Sequence, residues 1–445
     1  MYCLIQGDNR DVLRTFAENS MDAVVCDPPY GLRFMGKDWD HGVPGEHYWR
    51  EILRVAKPGA HLLAFGGPKT FHRLGVAIED AGWEMRDAIM WTYGEGFPKS
   101  LDVGKAIDAA AGAEREVVGK ATGRAGAPRR DFRGRRLHSG ANLVNADFSA
   151  ITAPATEDAE QWDGWGTGIK PAWEPIFVAR KPMIGTVAEN VLKYGTGALN
   201  IDGCRVEYSG DDDERECKTK NQHGDFGSGP MKNKVFGEYS RDRDNYNPPG
   251  RWPANLIHDG SQEVMVLFPD SKTTRIEKPS DCSVEGVTSF QSMRGNRPAR
   301  GYNEDGSAGR FFYCAKATSA DRHEGLRDAP GTRFKQGDLL RQFEDALPQG
   351  NCHPTVKPVA LMRYLCRLVT PPGGTVLDPF CGSGSTGKAA VIEGFNFIGV
   401  DIQPVDIAGQ RVAHAGYQQI ESILPRAIKY DFRRTRRDTC TADMF

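Results

Sequence analysis

Two short stretches hold residues whose types and spacing could do chemistry. The first is Cys26-Asp27-Pro28-Pro29-Tyr30-Gly31. Ionised Asp27 is purely a hydrogen-bond acceptor. Pro28 and Pro29 have fixed φ and no N–H, so the turn offers carbonyls without competing donors. Tyr30 adds a flat π-face for stacking. An acidic acceptor, a pre-set carbonyl and an aromatic ring suit a planar group bearing an NH2, such as the exocyclic amine of a nucleobase. The second stretch is DPFCGSGSTGKAA, Asp378–Ala390, and it admits three ligands. Gly382-x-Gly384-x-x-Gly387 reads as a dinucleotide fingerprint. Gly382-x4-Gly387-Lys388 reads as a P-loop. Asp378-Pro379-Phe380-Cys381-Gly382-Ser383-Gly384 reads as a loop for S-adenosylmethionine.

The P-loop reading fails on chemistry. It needs a hydroxyl after the lysine to ligate Mg²⁺, and Ala389 has none. The dinucleotide reading is stronger, because Asp401 lies 19 positions after Gly382, near the spacing of a ribose ligand. NAD and S-adenosylmethionine both present an adenosine ribose, so Asp401 serves either. Asp27-Pro28-Pro29-Tyr30 tips the balance: hydride transfer has no use for it, whereas methylation of an amine does.

The elements that must position these stretches are legible at both ends of the chain. YCLIQ, MDAVVCD, HLLAF and AIMWTY read as strands, alternating with the helices RDVLRTFAE, YWREILRVA (closed by Lys57-Pro58-Gly59) and FHRLGVAIEDAG. The pattern returns near His353 with the helix PVALMRYLCRLV, the strand TVLDPF, the helix GKAAVIEG and the strand NFIGVDI. Alternating strand and helix imply a mostly parallel sheet covered on both faces. Open sheets of this kind bind ligands at the carboxyl ends of their strands, where both stretches fall. The middle, from about Phe97 to Ala346, is rich in Gly, Pro, Asn, Asp and Arg, with apolar islands at 172–180, 251–259 and 310–317. Long loops in a compact enzyme are usually functional or disordered.

Composition bounds the class. The chain has 445 residues, enough for one large domain with insertions or for two. Neither a secretion signal nor, without an apolar run of about 20 residues, a membrane span is expected. The ten cysteines include no C-x-x-C pair, which speaks against a zinc site or disulfide framework and for a reducing cytoplasm. No metal is expected. Net charge is −2, but arginine is concentrated at 124–136 and 433–437, and local basic loops can meet phosphate while the rest stays neutral.

The paired motifs DPPY and DPFCGSGST, in that order with a long insertion between, resemble the amino-methyltransferases of DNA, which act on adenine N6 or cytosine N4. The order resembles the beta class, a circular permutation. LIQGD (Leu4–Asp8) resembles the family's third motif, with Asp8 near the cofactor's adenine. NCHPTVKP (Asn351–Pro358) resembles the tenth, at the methionine end. IGVDI (Ile398–Ile402) resembles the second, whose acidic residue takes the ribose hydroxyls. The resemblance implies a Rossmann-like methyltransferase fold with a mixed, mostly parallel seven-stranded sheet and a large inserted target-recognition region. Residues 1–100 and 347–425 would form its two halves. Residues 101–346 would form the insertion, with strand 172–180 returning to the core, and 426–445 a basic tail.

By this resemblance the cofactor is S-adenosylmethionine, held by Asp8, His353, Thr355, Lys357, Asp378, Phe380, Cys381, Gly382, Ser383, Gly384, Ser385, Thr386 and Asp401. The catalytic residues are Asp27, Pro28, Pro29 and Tyr30. The substrate is double-stranded DNA with the target base flipped out, and Asp in DPPY favours adenine N6 over cytosine N4. Arg129, Arg130, Arg133, Arg135 and Arg136, with Arg294, Arg297 and Arg300, are candidates for DNA contact, since Arg reads guanine and binds phosphate. A homodimer and a cognate restriction endonuclease, as in restriction-modification, are the expected partners. Two other classes stay open: a DNA-binding regulator using the same fold, and an NAD-dependent enzyme.

Overall fold

The computed structural model describes residues 1–32, 42–94, 96, 98, 100–120, 150–211, 213–215, 231–233, 237–239, 249–271, 306–315, 318, 320–326 and 356–423. His353, Thr355, the eight candidate DNA-contacting arginines and the tail from 426 lie outside the described residues.

The main sheet is built from β1 (Tyr2–Gln6), β2 (Met21–Cys26), β3 (Ala56–Phe65), β4 (Glu84–Thr92), β5 (Trp173–Arg180), β6 (Leu256–His258), β7 (Tyr313–Cys314), β8 (Thr375–Asp378) and β9 (Asn396–Asp401). Their order across the sheet is β1-β9-β8-β2-β3-β5-β4-β6-β7. Every neighbouring pair is parallel except those made by β5, which runs antiparallel to both β3 and β4. The mixed, mostly parallel α/β architecture is as expected, but among the described residues the sheet has nine strands, not seven. The difference lies at one edge. Leu256–His258 adds to β4, and Tyr313–Cys314 adds in turn to Leu256–His258, by parallel backbone pairing. Both fall within the apolar islands at 251–259 and 310–317, which could be isolated strands, but elements of three and two residues carry too little side-chain alternation to show which sheet they join.

The side-chain period of two sorts the buried residues onto two faces. Ala23, Val25, Leu63, Phe65, Ile176, Val178 and Val376 face one core, which contains Leu361, Met362 and Leu365 of helix α4 (Val359–Val369). Val24, Cys26, Leu62, Ala64, Phe177, Ala179 and Leu377 face the other. That second core contains Trp49, Ile52 and Val55 of α2 (Glu46–Val55) and Leu74 and Ile78 of α3 (Phe71–Asp80). All six residues of β2 are buried, as a central strand covered on both faces requires. Lys57-Pro58-Gly59 does not precede β3 but lies within its first residues. Ala56 pairs with Met21 and pairing resumes at His61 opposite Ala23, with Gly59 at φ +80° in the bulge between.

Helix α5 (Ser385–Ile392) follows the glycine loop, and α6 (Asp406–Ile423) follows β9. Gly387 lets α5 close onto this layer: a Cβ there would stand 2.4 Å from the Phe397 ring and 2.8 Å from Val412. Among the described residues no helix is long and apolar enough to cross a membrane. Gly387→Ala should therefore overpack the layer and lower unfolding free energy by about 1–3 kcal/mol in urea titration. An unchanged midpoint would show that the layer yields.

Candidate active site

β8 leads to β9 and, by pairing, to β1 on one side, while β2 and β3 extend the other way. The strand order reverses between β8 and β2, the switch point at which open α/β sheets bind ligands. Four aspartates mark this edge in spatial order. Asp8 comes two residues after β1, Asp401 ends β9, Asp378 ends β8, and Asp27 follows β2 directly. Gln6 pairs with Asp401, and Gly7 N–H donates to the Asp401 carbonyl at 2.8 Å.

Asp27 is held in a charged cluster. Lys357 Nζ donates to Asp27 Oδ2 at 2.7 Å and to the Tyr30 hydroxyl at 3.1 Å. The Tyr30 hydroxyl stands 2.8 Å from Asp27 Oδ1 and 3.0 Å from Glu174 Oε2, one proton between two carboxylates. Lys357 also lies 3.3 Å from Glu174, and the Tyr93 hydroxyl donates to the far oxygen of Glu174 at 3.3 Å. Burial alone would lower the Lys357 ammonium, but the Asp27 and Glu174 carboxylates outweigh it and hold the group above its usual value. Burial, reinforced by the same two carboxylates, pushes the Tyr30 phenol well up, so it stays a neutral donor. The Tyr30 ring is backed by Gly67, where a Cβ would stand 3.0 Å from it, and the Tyr30 carbonyl accepts from Thr70 Oγ1 at 2.6 Å.

Lys357, grouped by sequence with the cofactor-binding residues, makes its polar contacts with Asp27, Tyr30 and Glu174. Glu174 is a site residue that sequence reasoning missed. Its only signal was one acidic residue at the start of the apolar island AWEPIFVAR, and its position depends on β5 inserting between β3 and β4.

The glycine loop forms the neighbouring half. Gly382 and Gly384 have φ of +51° and +77°, and Gly384 caps α5. The absence of a side chain at Gly384 is also required by protein packing, since a Cβ would stand 2.9 Å from Ala408 of α6. Gly382 N–H donates to Asp401 Oδ2 at 2.6 Å, and Gln403 N–H to Asp401 Oδ1 at 2.8 Å. These bonds hold the carboxylate while leaving acceptor capacity for ribose hydroxyls. Asn9 donates to the Pro379 carbonyl at 2.9 Å, and its own Oδ1 is buried with no hydrogen-bond partner among the described residues. A buried acceptor left open beside Asp378-Pro379 fits an ammonium-bearing ligand. Ser383, Ser385 and Thr386 are buried, and the Thr386 side chain lies beside Asp378. Phe380 turns toward α2, its ring 5.9 Å from that of Trp49. Burial pushes the Cys381 thiol well up, so it is a packing residue and not a nucleophile. Asp8 caps α1 (Asn9–Arg14) and is paired with Arg10, whose hydrogen bond holds its carboxyl below the usual range.

Lys388 answers the P-loop alternative a second time. It is buried and its Nζ is 2.5 Å from Glu324, so its charge is already matched within the protein.

An acidic strand edge at the switch point of a mostly parallel sheet, with a glycine loop on one side and an Asp-Pro-Pro-Tyr turn on the other, defines an α/β protein built to hold a nucleotide-like ligand beside a second, reacting group. The chain belongs to the N6/N4 DNA methylase family, whose match covers residues 21–408. It is 48% identical over 75 residues to DNA adenine methyltransferase YhdJ of Escherichia coli, which is 17% of this chain and 22% of that protein. A second Escherichia coli protein, YubD, is 38% identical over 106 residues, 21% of this chain and 44% of that one. The matched stretches thus span less than half of either relative. Among solved structures, the PvuII cytosine-N4-specific DNA methyltransferase is a distant likeness at 12% identity and TM-score 0.37, over 96% of this chain and 88% of that one.

Asp378 gives the site a measurable signature. It is 1% exposed, and burial pushes its carboxyl from 3.8 up to about 7, against the lowering effect of the Thr386 side chain and the Phe380 N–H. Between those values the folded protein keeps a proton that the unfolded chain has released. The contribution of Asp378 to stability is therefore greatest below about pH 4 and falls as pH rises to about 7. Relative to Asp378→Asn, the wild-type protein should lose on the order of a few kcal/mol across this window in urea unfolding. Parallel pH profiles for the two would refute the assignment.

Proposed function

We propose that this protein methylates DNA at a specific site, transferring a methyl group from S-adenosylmethionine to N6 of an adenine flipped out of the duplex. The observation that carries the reading is the adjacency of Asp27 and Asp378 at the ends of paired parallel strands β2 and β8, one in an amine-binding turn and the other at the root of the glycine loop. S-adenosylmethionine, when bound, supplies the electrophilic methyl group. Asp401 takes the ribose, and Asn9 Oδ1 and the N-terminus of α5 serve the ammonium and carboxylate of the methionine end.

The chain's own residues activate the amine. An aromatic NH2 is a weak nucleophile because its lone pair is delocalised into the ring. The Asp27 carboxylate and the Pro28 carbonyl accept its two N–H groups, which favours a pyramidal nitrogen with its lone pair aimed at the methyl carbon. Lys357 and Tyr30 fix the carboxylate in place, so positioning and pre-set electrostatics supply much of the rate. The Tyr30 ring, backed by Gly67, is a platform for the base. Flipping costs about a few kcal/mol. Asp at the first position of the turn favours adenine, and YhdJ is described as an adenine enzyme.

Transfer of tritiated methyl to duplex DNA tests the activity, and methylation-sensitive sequencing of DNA from expressing cells identifies base and site together. Methylcytosine in place of methyladenine would overturn the adenine assignment alone. Asp27→Ala should lower turnover roughly 10²–10³-fold or more, the scale for removing one preorganised hydrogen-bonding group, with cofactor affinity by calorimetry nearly unchanged. Near-normal turnover would sink the role of Asp27.

A further inference from the structure

Arg411 lies on α6 and is fully buried. Its guanidinium reaches the cofactor loop from behind. Nη1 donates to the Ser383 carbonyl at 2.5 Å, to Ser383 Oγ at 2.8 Å and to Ser385 Oγ at 3.3 Å. The other arm, Nη2, donates to the Asp321 carbonyl at 2.5 Å. Asp321 belongs to a short segment, 320–326, that comes from the long stretch between β4 and β8. Its carboxylate accepts from Val359 N–H at 3.2 Å, at the start of α4 and two residues beyond Lys357. The same segment grips the layer behind the loop twice more. Glu324 pairs with Lys388 of α5 at 2.5 Å, and Gly325, at φ +93°, packs so closely that a Cβ would stand 2.7 Å from His414. A buried guanidinium is costly unless it is matched, and here the bonds of its two terminal nitrogens go to the loop and to one remote carbonyl.

We propose that Arg411 is a positioning residue for the cofactor, and that segment 320–326 is the strap that holds it. Through Asp321 the strap keeps two half-sites in register: the glycine loop on one side and the helix start that carries Lys357 to Asp27 on the other. Arg411 itself touches no reacting atom. It fixes the Ser383 carbonyl and the Ser383 and Ser385 hydroxyls, and with them the shape of the turn that leads from Gly382 into α5. The planar fork is needed, because it bonds loop and strap at once, whereas a lysine ammonium is a single point of charge.

This rests on reading the loop as the S-adenosylmethionine site, and the experiment separates the two. Steady-state kinetics and calorimetry with S-adenosylmethionine and duplex DNA are measured on the full chain for wild type, Arg411→Met and Arg411→Lys. Arg411→Met should raise the KM and Kd for S-adenosylmethionine about tenfold or more, the scale of a lost charged hydrogen bond. At saturating cofactor, kcat and the KM for DNA should stay within about threefold. Arg411→Lys keeps the buried charge and should fall between, and it decides the matter where the Met variant does not fold. General loss of structure would move both substrates' constants together, and that pattern, or an unchanged cofactor KM in a folded variant, overturns the proposal. A wild-type protein that binds no S-adenosylmethionine would overturn the reading of the loop itself.

Discussion

The parallel pairing of β2 with β8 is the constraint on which the site depends. Val376 and Leu377 sit in register with Ala23 and Val24, which brings the two ends of the chain into the middle of one sheet. Each strand then delivers an aspartate to the same edge. Without that pairing Asp27 is a turn residue after a buried strand and Asp378 a residue before a glycine loop. With it, the Asp-Pro-Pro-Tyr turn and the glycine loop share a wall. The pairing is strongly specified, because both strands are covered on both faces and a one-residue slip would exchange the two cores.

Around this pair the protein manages a high density of buried charge. Asp378 is kept out of water and is protonated more readily than an ordinary carboxyl, whereas Asp27 is matched by Lys357. The two neighbouring aspartates have different surroundings: Asp378 has hydrogen-bond donors, whereas Asp27 has a cation drawn from a segment 330 positions away. Such a cluster adds little net stability when complete, but is costly to break, because a partner removed leaves a buried charge behind. Its value lies in orientation. Lys357, Tyr30 and Glu174 hold the Asp27 carboxylate in one position, so little reorganisation is left for the moment a substrate arrives.

The glycines show how motif reading and structure divide the explanation. From the spacing alone, Gly382, Gly384 and Gly387 suit any ligand that needs backbone close by. In the structure, Gly384 and Gly387 are required as much by Ala408, Phe397 and Val412 as by any ligand, and the loop's shape is also set from behind by Arg411. A motif of this kind therefore marks a way of packing a helix onto a sheet. The cofactor it serves is decided by what stands opposite.

Much was legible without coordinates. The strands at both chain ends, the helices between them, the two motifs and their strand-end positions all follow from local signals: hydrophobic period, breakers, and residues whose chemistry is specific at short range. The nine-stranded breadth of the sheet, the reversed strand β5, Glu174 beside Tyr30, Lys357 on Asp27, the open acceptor of Asn9 and the buried fork of Arg411 were decided only by tertiary structure. The reason is physical. A residue's type fixes what bonds it can make. Which bonds it does make depends on partners brought from distant parts of the chain, and on burial, which sets the strength of those bonds and the protonation of the groups that form them.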